Sequence, residues 1–580
     1  MDSRLHFGPH VLESRRGVQQ GDPLGPLLFS IGIHDLIKEA RQHNYNLFPD
    51  GIDFASFYLD DGVVAGSCEA VQTMLSHLQA SLSSIGLEFN VDKTKASPPP
   101  ECPDAQPLLP WSWQQDGNIV VLGTPIGSDS FIMANLSERT KQASNLLHHI
   151  RDIDCPQTAL SLARLCGSAA KMQYSMRTIP SDKCLESLQL FDGYVRAGVE
   201  NILAQPLEND KWARAARGVR FGGLGFRPTA AHAPGAYWSS LCDCQDLMMS
   251  IWPAIHVNDD IVSAEGTLES WCSREIRERV SEEGKRRQKA MSEALDRKLI
   301  DDECAADTTA SHIRAHLKLV DQDGCGQWLV APPCSEAGTL LDGELFRIAA
   351  KRRIRARFQT THDSCPLCGD PLDMYMDHAL VCHCGGDRTV RHNLVQRDLT
   401  RSFQLLGFRP VPEKAGLLPT ATTEIEGNAG INRCLGTQNR RPADVWVPLW
   451  ENGRGTAVDV ALTSGMALSW IHRVARDPEG PTVVYEQHKR EDRNTEAQCT
   501  AEGFMLLPFI VEAHSGAFGA DAKKLLRQMG QRFASSSGGN VGSKVSELAM
   551  RIQATLHRET ARAVLRRWSH RLEGLPRTSQ

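Results

Sequence analysis

Phe57-Tyr58-Leu59-Asp60-Asp61-Gly62 follows the apolar Phe54 and Ala55 and runs into Val63-Val64-Ala65. The pattern predicts strand, tight turn, strand, with Asp61-Gly62 at the turn. Two adjacent carboxylates at a hairpin tip can be presented to a divalent cation. Magnesium prefers hard oxygen ligands, and phosphoryl transfer commonly uses two such ions about 4 Å apart. Taken alone, such a turn is usually just a solvated hairpin, so its neighbours decide the reading.

Upstream lies Gly17-Val18-Gln19-Gln20-Gly21-Asp22-Pro23-Leu24-Gly25-Pro26-Leu27-Leu28-Phe29-Ser30. Its glycines allow close approach of the backbone, and Leu27-Leu28-Phe29-Ser30-Ile31 is expected to start a helix packed under the sheet. Residues 68 to 85 form an amphipathic pattern, with Val71, Met74, Leu75, Leu78 and Leu82 at helical spacing. Gly86-Leu87-Glu88-Phe89-Asn90 with Lys93-Thr94-Lys95 follows, then Leu122-Gly123-Thr124-Pro125-Ile126-Gly127. In order and spacing, these four stretches resemble motifs B, C, D and E of reverse transcriptases. The closest likeness is to the palm of non-LTR (LINE-type) retrotransposons, over about residues 10 to 130.

The resemblance implies that Asp60 and Asp61 are catalytic and hold Mg2+. It implies that Gln20, Gly21 and Pro23 help position template and incoming nucleotide, and that 122–127 is a primer-gripping hairpin. Lys93 is implied as the general acid that protonates the leaving pyrophosphate. Such a palm also needs an Asp on the motif A strand, well before motif B. Residues 1 to 16 read as uninformative, and Asp2 lies only fifteen positions before Gly17 without an apolar strand around it. The expectation is a chain without fingers, motif A and part of the palm, and a polymerase metal site short of a principal ligand.

Length and charge set outer bounds. The 580 residues suggest about four domain-sized units. A net charge of -6 argues against a wholesale polyanion binder, so nucleic-acid contacts must come from local basic patches. The 17 cysteines are irregularly spaced, which argues against a disulfide scaffold. Met1 opens a polar stretch with no signal-peptide pattern, and no run of about 18 apolar residues is present. The expected setting is the nucleus and cytoplasm, not secretion and not a membrane.

Residues 135 to 265 look mostly helical, as in a thumb, and Gly222-Gly223-Leu224-Gly225-Phe226-Arg227 reads as a structural turn. Residues 270 to 300 are charged and helical, with basic and acidic residues interleaved as in a solvated helix. For Lys351-Arg352-Arg353-Ile354-Arg355-Ala356-Arg357-Phe358, a phosphate-contacting face and a solvated one fit equally.

That run precedes Cys365-x2-Cys368-x9-His378-x3-Cys382. Zinc takes four thiolate or imidazole ligands tetrahedrally, and two short knuckles supply them, with Gly369 able to turn the first. A closed four-ligand set implies a structural Zn2+ without an open position. His362, His383 and Cys384 are also near in sequence.

Arg391-His392-Asn393 is read as beginning a helix, and Glu413 follows it. Asp444 lies at a strand in Arg441-Pro442-Ala443-Asp444-Val445-Trp446-Val447. Asp459 lies inside the buried-looking strand Ala457-Val458-Asp459-Val460-Ala461-Leu462. A charge in such an apolar run is costly unless it is paired or holds metal. Lys489 and Glu512 come next. Behind a Cys-Cys-His-Cys knuckle, this set resembles the restriction-like endonuclease of one LINE group, of the PD-(D/E)xK fold. The resemblance implies that Asp444 and Asp459 hold Mg2+, that Lys489 orients the attacking water or stabilises developing charge, and that Glu512 belongs to the catalytic set. This chain departs from the pattern in writing Pro-Ala-Asp, and in placing Ala at 461 with the lysine displaced to Lys489.

Ser535-Ser536-Ser537-Gly538-Gly539 reads as a flexible linker. After it comes a basic helix that fits either nucleic-acid contact or packing. The expected fold class is α+β multidomain. The expected segments are a partial palm at 1–130, helical thumb at 131–265, helical connector at 266–360, zinc knuckle at 361–390, endonuclease at 391–534, and linker with C-terminal helix at 535–580. The expected function is target-primed reverse transcription with element RNA and chromosomal DNA as partners. The alternative is an inert nucleic-acid-binding remnant or a host-adopted protein. The sequence carries no sign of oligomeric state.

Overall fold

The computed structural model describes residues 3–14, 17–18, 21–98, 107–108, 110–253, 255–269, 272–281, 287–358, 363–418 and 442–568. These are mixed helix and sheet, in two compact units. One is built from Met1–Lys141, Tyr174–Leu188 and Ala233–Gln288, the other from Gln142–Gln173, Gln189–His232 and Lys289–Gln580. Both units draw on separated stretches of chain, whereas the six expected segments are contiguous. No helix among the described residues is long and apolar enough to cross a membrane.

In the first unit, the start of the chain is not the featureless lead expected. β1 (Ser3–Phe7) pairs antiparallel with β2 (His10–Ser14), and Gly8 at φ +59° opens the two-residue loop. Helix Gly25–Leu47 begins with proline in its first turn, where the missing N–H costs no helical bond. Its middle and later turns face β3 (Ile52–Tyr58) and β4 (Asp61–Gly66) together with helix Cys68–Ser84. Ala40, Ala55, Met74 and Leu78 form the buried centre, with Leu36, Ile37 and Phe57 against it. The buried Asn44 side-chain amide donates to Ala70 O at 2.6 Å and ties the two helices. Leu27, Leu28 and Ile31 are exposed, so the run expected to pack under the sheet is not the part that does. The helix turns 3.6 residues per turn, and Leu36, Ile37 and Ala40 fall on the covered face instead. Two-residue strands β5 (Lys95–Ala96) and β6 (Ser112–Trp113) pair in parallel, and β7 (Ile119–Val121) forms a hairpin with β8 (Thr124–Ile126).

In the second unit, β9 (Asp363–Ser364) and β10 (Pro371–Leu372) make a small hairpin. A four-stranded sheet runs in the order β11 (Val411–Pro412), β12 (Val445–Glu451), β13 (Arg454–Thr463), β14 (Met505–Glu512). β12 and β13 are joined by Asn452-Gly453, both at positive φ, as a tight hairpin requires. β14 lies parallel to β13, reached through helices Gly480–Glu491 and Thr495–Ala501, because a parallel partner needs a crossover. Helices Asp387–Leu405, Ala520–Ser537 and Val541–Trp568 bury Val395, Leu399, Phe403, Leu525, Ile552 and others against Val445, Val458, Val460 and Phe509. Ala443, Ala457 and Leu506 pack with Cys499 and Phe504 in a separate cluster.

Several local expectations change here. Lys351 to Ala356 are buried, so Lys351, Arg352, Arg353 and Arg355 form neither a phosphate-contacting face nor a solvated one, and of the basic residues in the run Arg357 alone is exposed. Arg352 donates to Tyr375 O and Met376 O, both at 3.0 Å, and with Arg355 holds Asp377. Arg353 donates to Gly223 O at 3.0 Å and Val219 O at 2.6 Å, which locks the glycine loop as a buried structural turn. Gly222 there has φ +78°, a conformation that favours glycine. Ser535–Ser537 belong to helix Ala520–Ser537 and not to a linker. The last helix is a packed one, and its arginines have partners inside the fold: Arg558 on Gly338 O and Leu340 O, Arg567 on Asp387. The helix holding Arg391 begins at Asp387, four residues earlier than expected.

Candidate active sites

The β3–β4 register pairs Tyr58 with Asp61, so the two-residue turn is Leu59-Asp60, with Leu59 at φ +57°. The turn therefore lies two residues before the expected Asp61-Gly62. Gly62 sits opposite Phe57, whose ring occupies the space a Cβ would need. Asp60 ends in the loop and Asp61 opens β4, both exposed. Lys93 is exposed in a turn where its own N–H donates to Asn90 O at 3.1 Å. Gly21 and Pro23 lie exposed ahead of the long helix; Gln20 is outside the described residues. Among the described residues, no third acid, histidine or cysteine closes on Asp60 and Asp61. The tip of the β7–β8 hairpin is held from two helices: Tyr174 donates its hydroxyl to Leu122 O at 2.7 Å, and Arg139 donates to Gly123 O and to Ser175 Oγ.

In the second unit, the β9–β10 hairpin presents Cys365 and Cys368 in its loop. Gly369 at φ +79° donates its N–H back to Cys365 O at 2.9 Å. The short helix His378–Val381 supplies His378 and ends at Cys382. The ligand atoms of Cys365, Cys368, His378 and Cys382 all lie within 4.8 Å of one another. Cys368 Sγ is 3.2 Å from His378 Nε2 and 3.7 Å from Cys382 Sγ. A tetrahedron with Zn–S of about 2.3 Å has an S···S edge of about 3.8 Å, so donor type and spacing both fit zinc. Neither Cys384 nor His383 belongs to this cluster, and His362 lies outside the described residues.

Val445 pairs with Val458 across β12–β13, which sets Asp444 opposite Asp459 one position further on. Lys489, on helix Gly480–Glu491, places Nζ 2.9 Å from Asp459 Oδ1. Burial pushes the Asp459 carboxyl up to about 6, with Lys489 opposing the rise and neighbouring Asp444 adding to it. Burial also raises Asp444, but the hydrogen bond and charge of His392, with help from Val460 N–H and Lys489, outweigh it and leave this carboxyl below its ordinary range. Lys489 is depressed by burial and raised more by Asp459, so it stays an ammonium.

Glu512 is elsewhere. It pairs with Thr463, whereas Asp459 pairs with Pro508, which puts Glu512 about 13 Å further along the strand at roughly 3.3 Å per residue. It is fully buried. It accepts from Gly465 N at 2.9 Å, His514 N at 3.0 Å, and Ser515 N and Oγ at 2.6 Å each. Its oxygens are engaged in closing a loop. Glu413 donates its backbone N–H to Asp444 O at 2.9 Å.

Two residues at the site were not singled out for it by the sequence. His392 Nε2 is 3.3 Å from Asp444 Oδ2 and 3.0 Å from Val460 O, and the Asp444 hydrogen bond, against burial, raises this imidazole to about 9. Gln396 donates to Asp444 O at 2.6 Å. The available signal was their spacing: they are four residues apart on a helix whose buried side carries Val395, Leu399 and Phe403.

Residues 4–126 match the reverse transcriptase (RNA-dependent DNA polymerase) family. The chain is also 38% identical over 86 residues to the retrotransposable element SLACS 132 kDa protein of Trypanosoma brucei gambiense. That stretch is 15% of this chain and 7% of the SLACS protein, so the chain spans a small part of that relative. Ahead of the zinc-compatible cluster and the Asp444–Asp459–Lys489 group, the chain therefore carries a domain of reverse-transcriptase kind, with a retrotransposon protein as its relative.

Proposed function

We propose that this chain is part of a retrotransposon protein in which a reverse-transcriptase palm is followed by a zinc knuckle and a metal-dependent DNA endonuclease of the PD-(D/E)xK type. The observation that carries the nuclease half is the convergence of Asp444, just ahead of β12, Asp459 on β13 and Lys489 on a helix in one half-buried cluster. Burial raises the Asp459 carboxyl beside Asp444, and a divalent cation held by the two would favour their ionised forms. Asp444 and Asp459 are the residues that would hold Mg2+. Bound there, Mg2+ supplies Lewis acidity and lowers the pKa of a water. Lys489 keeps Asp459 in place and offers ammonium N–H donors to a phosphate oxygen as charge builds on it. Cys365, Cys368, His378 and Cys382 would hold Zn2+ as a structural ion that closes the knuckle. Element RNA and chromosomal DNA are the proposed partners.

The test is nicking of supercoiled plasmid by the full chain, with zinc bound and Mg2+ or Mn2+ added. Metal-dependent nicking abolished by chelation is expected. A folded, zinc-loaded chain that nicks with neither metal overturns the reading and leaves a nucleic-acid-binding role.

For the polymerase half, the exposed Asp60–Asp61 pair with no third acid closing on it among the described residues favours binding without synthesis by this chain. Primer extension on an RNA template is expected to give no product; product that disappears in Asp60→Ala would refute this.

A further inference from the structure

We infer that His392 and Gln396 are positioning residues that hold Asp444 in its metal-binding pose, an inference that rests on the nuclease reading of Asp444. Asp444 needs such help because of where it sits. β12 begins only at Val445, so Asp444 lies just outside the ladder, while β13 continues to Thr463. At Val460, on the continuing part of β13, the N–H and C=O are taken up by side chains. Val460 N donates to Asp444 Oδ2 at 2.7 Å, and Val460 O accepts from His392 Nε2 at 3.0 Å.

The tautomer follows from the partners. A backbone carbonyl and a carboxylate oxygen both accept, so Nε2 facing the two must carry the hydrogen. The imidazole is therefore a donor shared between β13 and Asp444. Both donors to the Asp444 side chain, Val460 N and His392 Nε2, land on Oδ2. That leaves Oδ1 as the atom to offer a cation. Gln396, one turn along the same helix, fixes the Asp444 main chain from the other end by donating to its carbonyl. Side chain and backbone of one acid are thus gripped by residues four apart on one helix, whose Val395 and Leu399 are fully buried against the sheet.

The test measures Mn2+ binding to the zinc-loaded full chain by electron paramagnetic resonance, alongside plasmid nicking. Asp444→Ala checks the nuclease reading itself: it should remove Mn2+ binding, and an unchanged Mn2+ affinity would sink that reading together with this inference. His392→Ala should weaken Mn2+ about 10- to 100-fold, the usual cost of losing an outer-shell partner, and lower kcat for nicking with KM for DNA retained. His392→Gln, which keeps an N–H donor, should recover most of both. Gln396→Ala should shift Mn2+ affinity in the same direction by less, and it serves as the readout should His392→Ala fail to fold. Wild-type Mn2+ affinity in both His392→Ala and Gln396→Ala, with Asp444→Ala abolishing it, overturns this inference alone. A His392→Gln as impaired as His392→Ala also overturns it.

Discussion

Asp60 and Asp61 stand exposed at the tip of a two-stranded hairpin, whereas Asp444, just ahead of β12, meets Asp459 on β13 of a four-stranded sheet flanked by helices. The first pair is adjacent in sequence and yet divides between a loop and a strand. The second is fifteen residues apart and converges, because the Asn452-Gly453 hairpin brings the two strands into register. Sequence adjacency is thus a poor guide to a shared environment, and strand register a good one. Enclosure also changes what a charge does: burial, with neighbouring Asp444 adding to it, raises the Asp459 carboxyl, His392 holds Asp444 down, and Lys489 and His392 lie at contact distance.

The largest expected effect is on the enclosure. Cys365→Ser with Cys368→Ser should abolish zinc binding and loosen the knuckle, since a structural zinc supplies on the order of 10 kcal/mol at neutral pH. Metal content by mass spectrometry, with thermal melting, checks this; one zinc per chain in the double variant would refute the ligand set. The first unit should lose none of its stability. Next in size, Lys489→Ala should lower nicking by about 10²–10³-fold, by analogy with a lost oxyanion donor. Lys93→Ala should leave nicking at the wild-type rate. Equal effects of the two lysines would erase the distinction between the sites.

Arg352→Met should destabilise the second unit by about 3–5 kcal/mol in denaturant melts, the usual cost of breaking a buried ion pair from one side. Its partners Tyr375 O, Met376 O and Asp377 would lose a shared donor next to the knuckle. A change within error would mean that Arg355 alone suffices for Asp377.

The smallest expected effect is on pH dependence. Burial holds His232 and His557 down to about 3, and His316 and His514 well below their ordinary value. A histidine with a depressed folded-state pKa is protonated first in the unfolded chain. The second unit should therefore lose stability as pH falls below about 6.5, with the loss saturating only near 3 for His232 and His557. Melting temperature between pH 7.5 and 5.5 should fall, and His557→Gln should make the fall shallower. A flat wild-type profile would contradict the buried neutral imidazoles.

The short-range features of the molecule were legible in the sequence. The β3–β4 hairpin, the strand holding Asp459, the amphipathic helix at 68–84 and the knuckle spacing all depend on residues a few positions apart. The turn at Leu59-Asp60 was displaced because Asp-Gly is a strong turn signal, which here lost to pairing of Gly62 under the Phe57 ring. The burial of Arg353 was illegible because its acceptors, Val219 and Gly223, lie some 130 residues away. Glu512 looked catalytic because an acid ending an apolar strand resembles a site residue; only the loop after it shows that backbone donors consume it. His392 was hidden for a similar reason, since nothing local ties it to a strand more than fifty positions on.

The most direct test compares the two acid pairs in one assay: plasmid nicking by the zinc-loaded full chain with Mg2+, in wild type, Asp444→Asn, Asp459→Asn, and Asp60→Asn with Asp61→Asn. If the enclosed pair is the nuclease, each of the first two substitutions abolishes nicking and the hairpin double substitution leaves it at the wild-type rate. Nicking that survives both Asp444→Asn and Asp459→Asn, or that is lost with Asp60 and Asp61, would contradict the assignment.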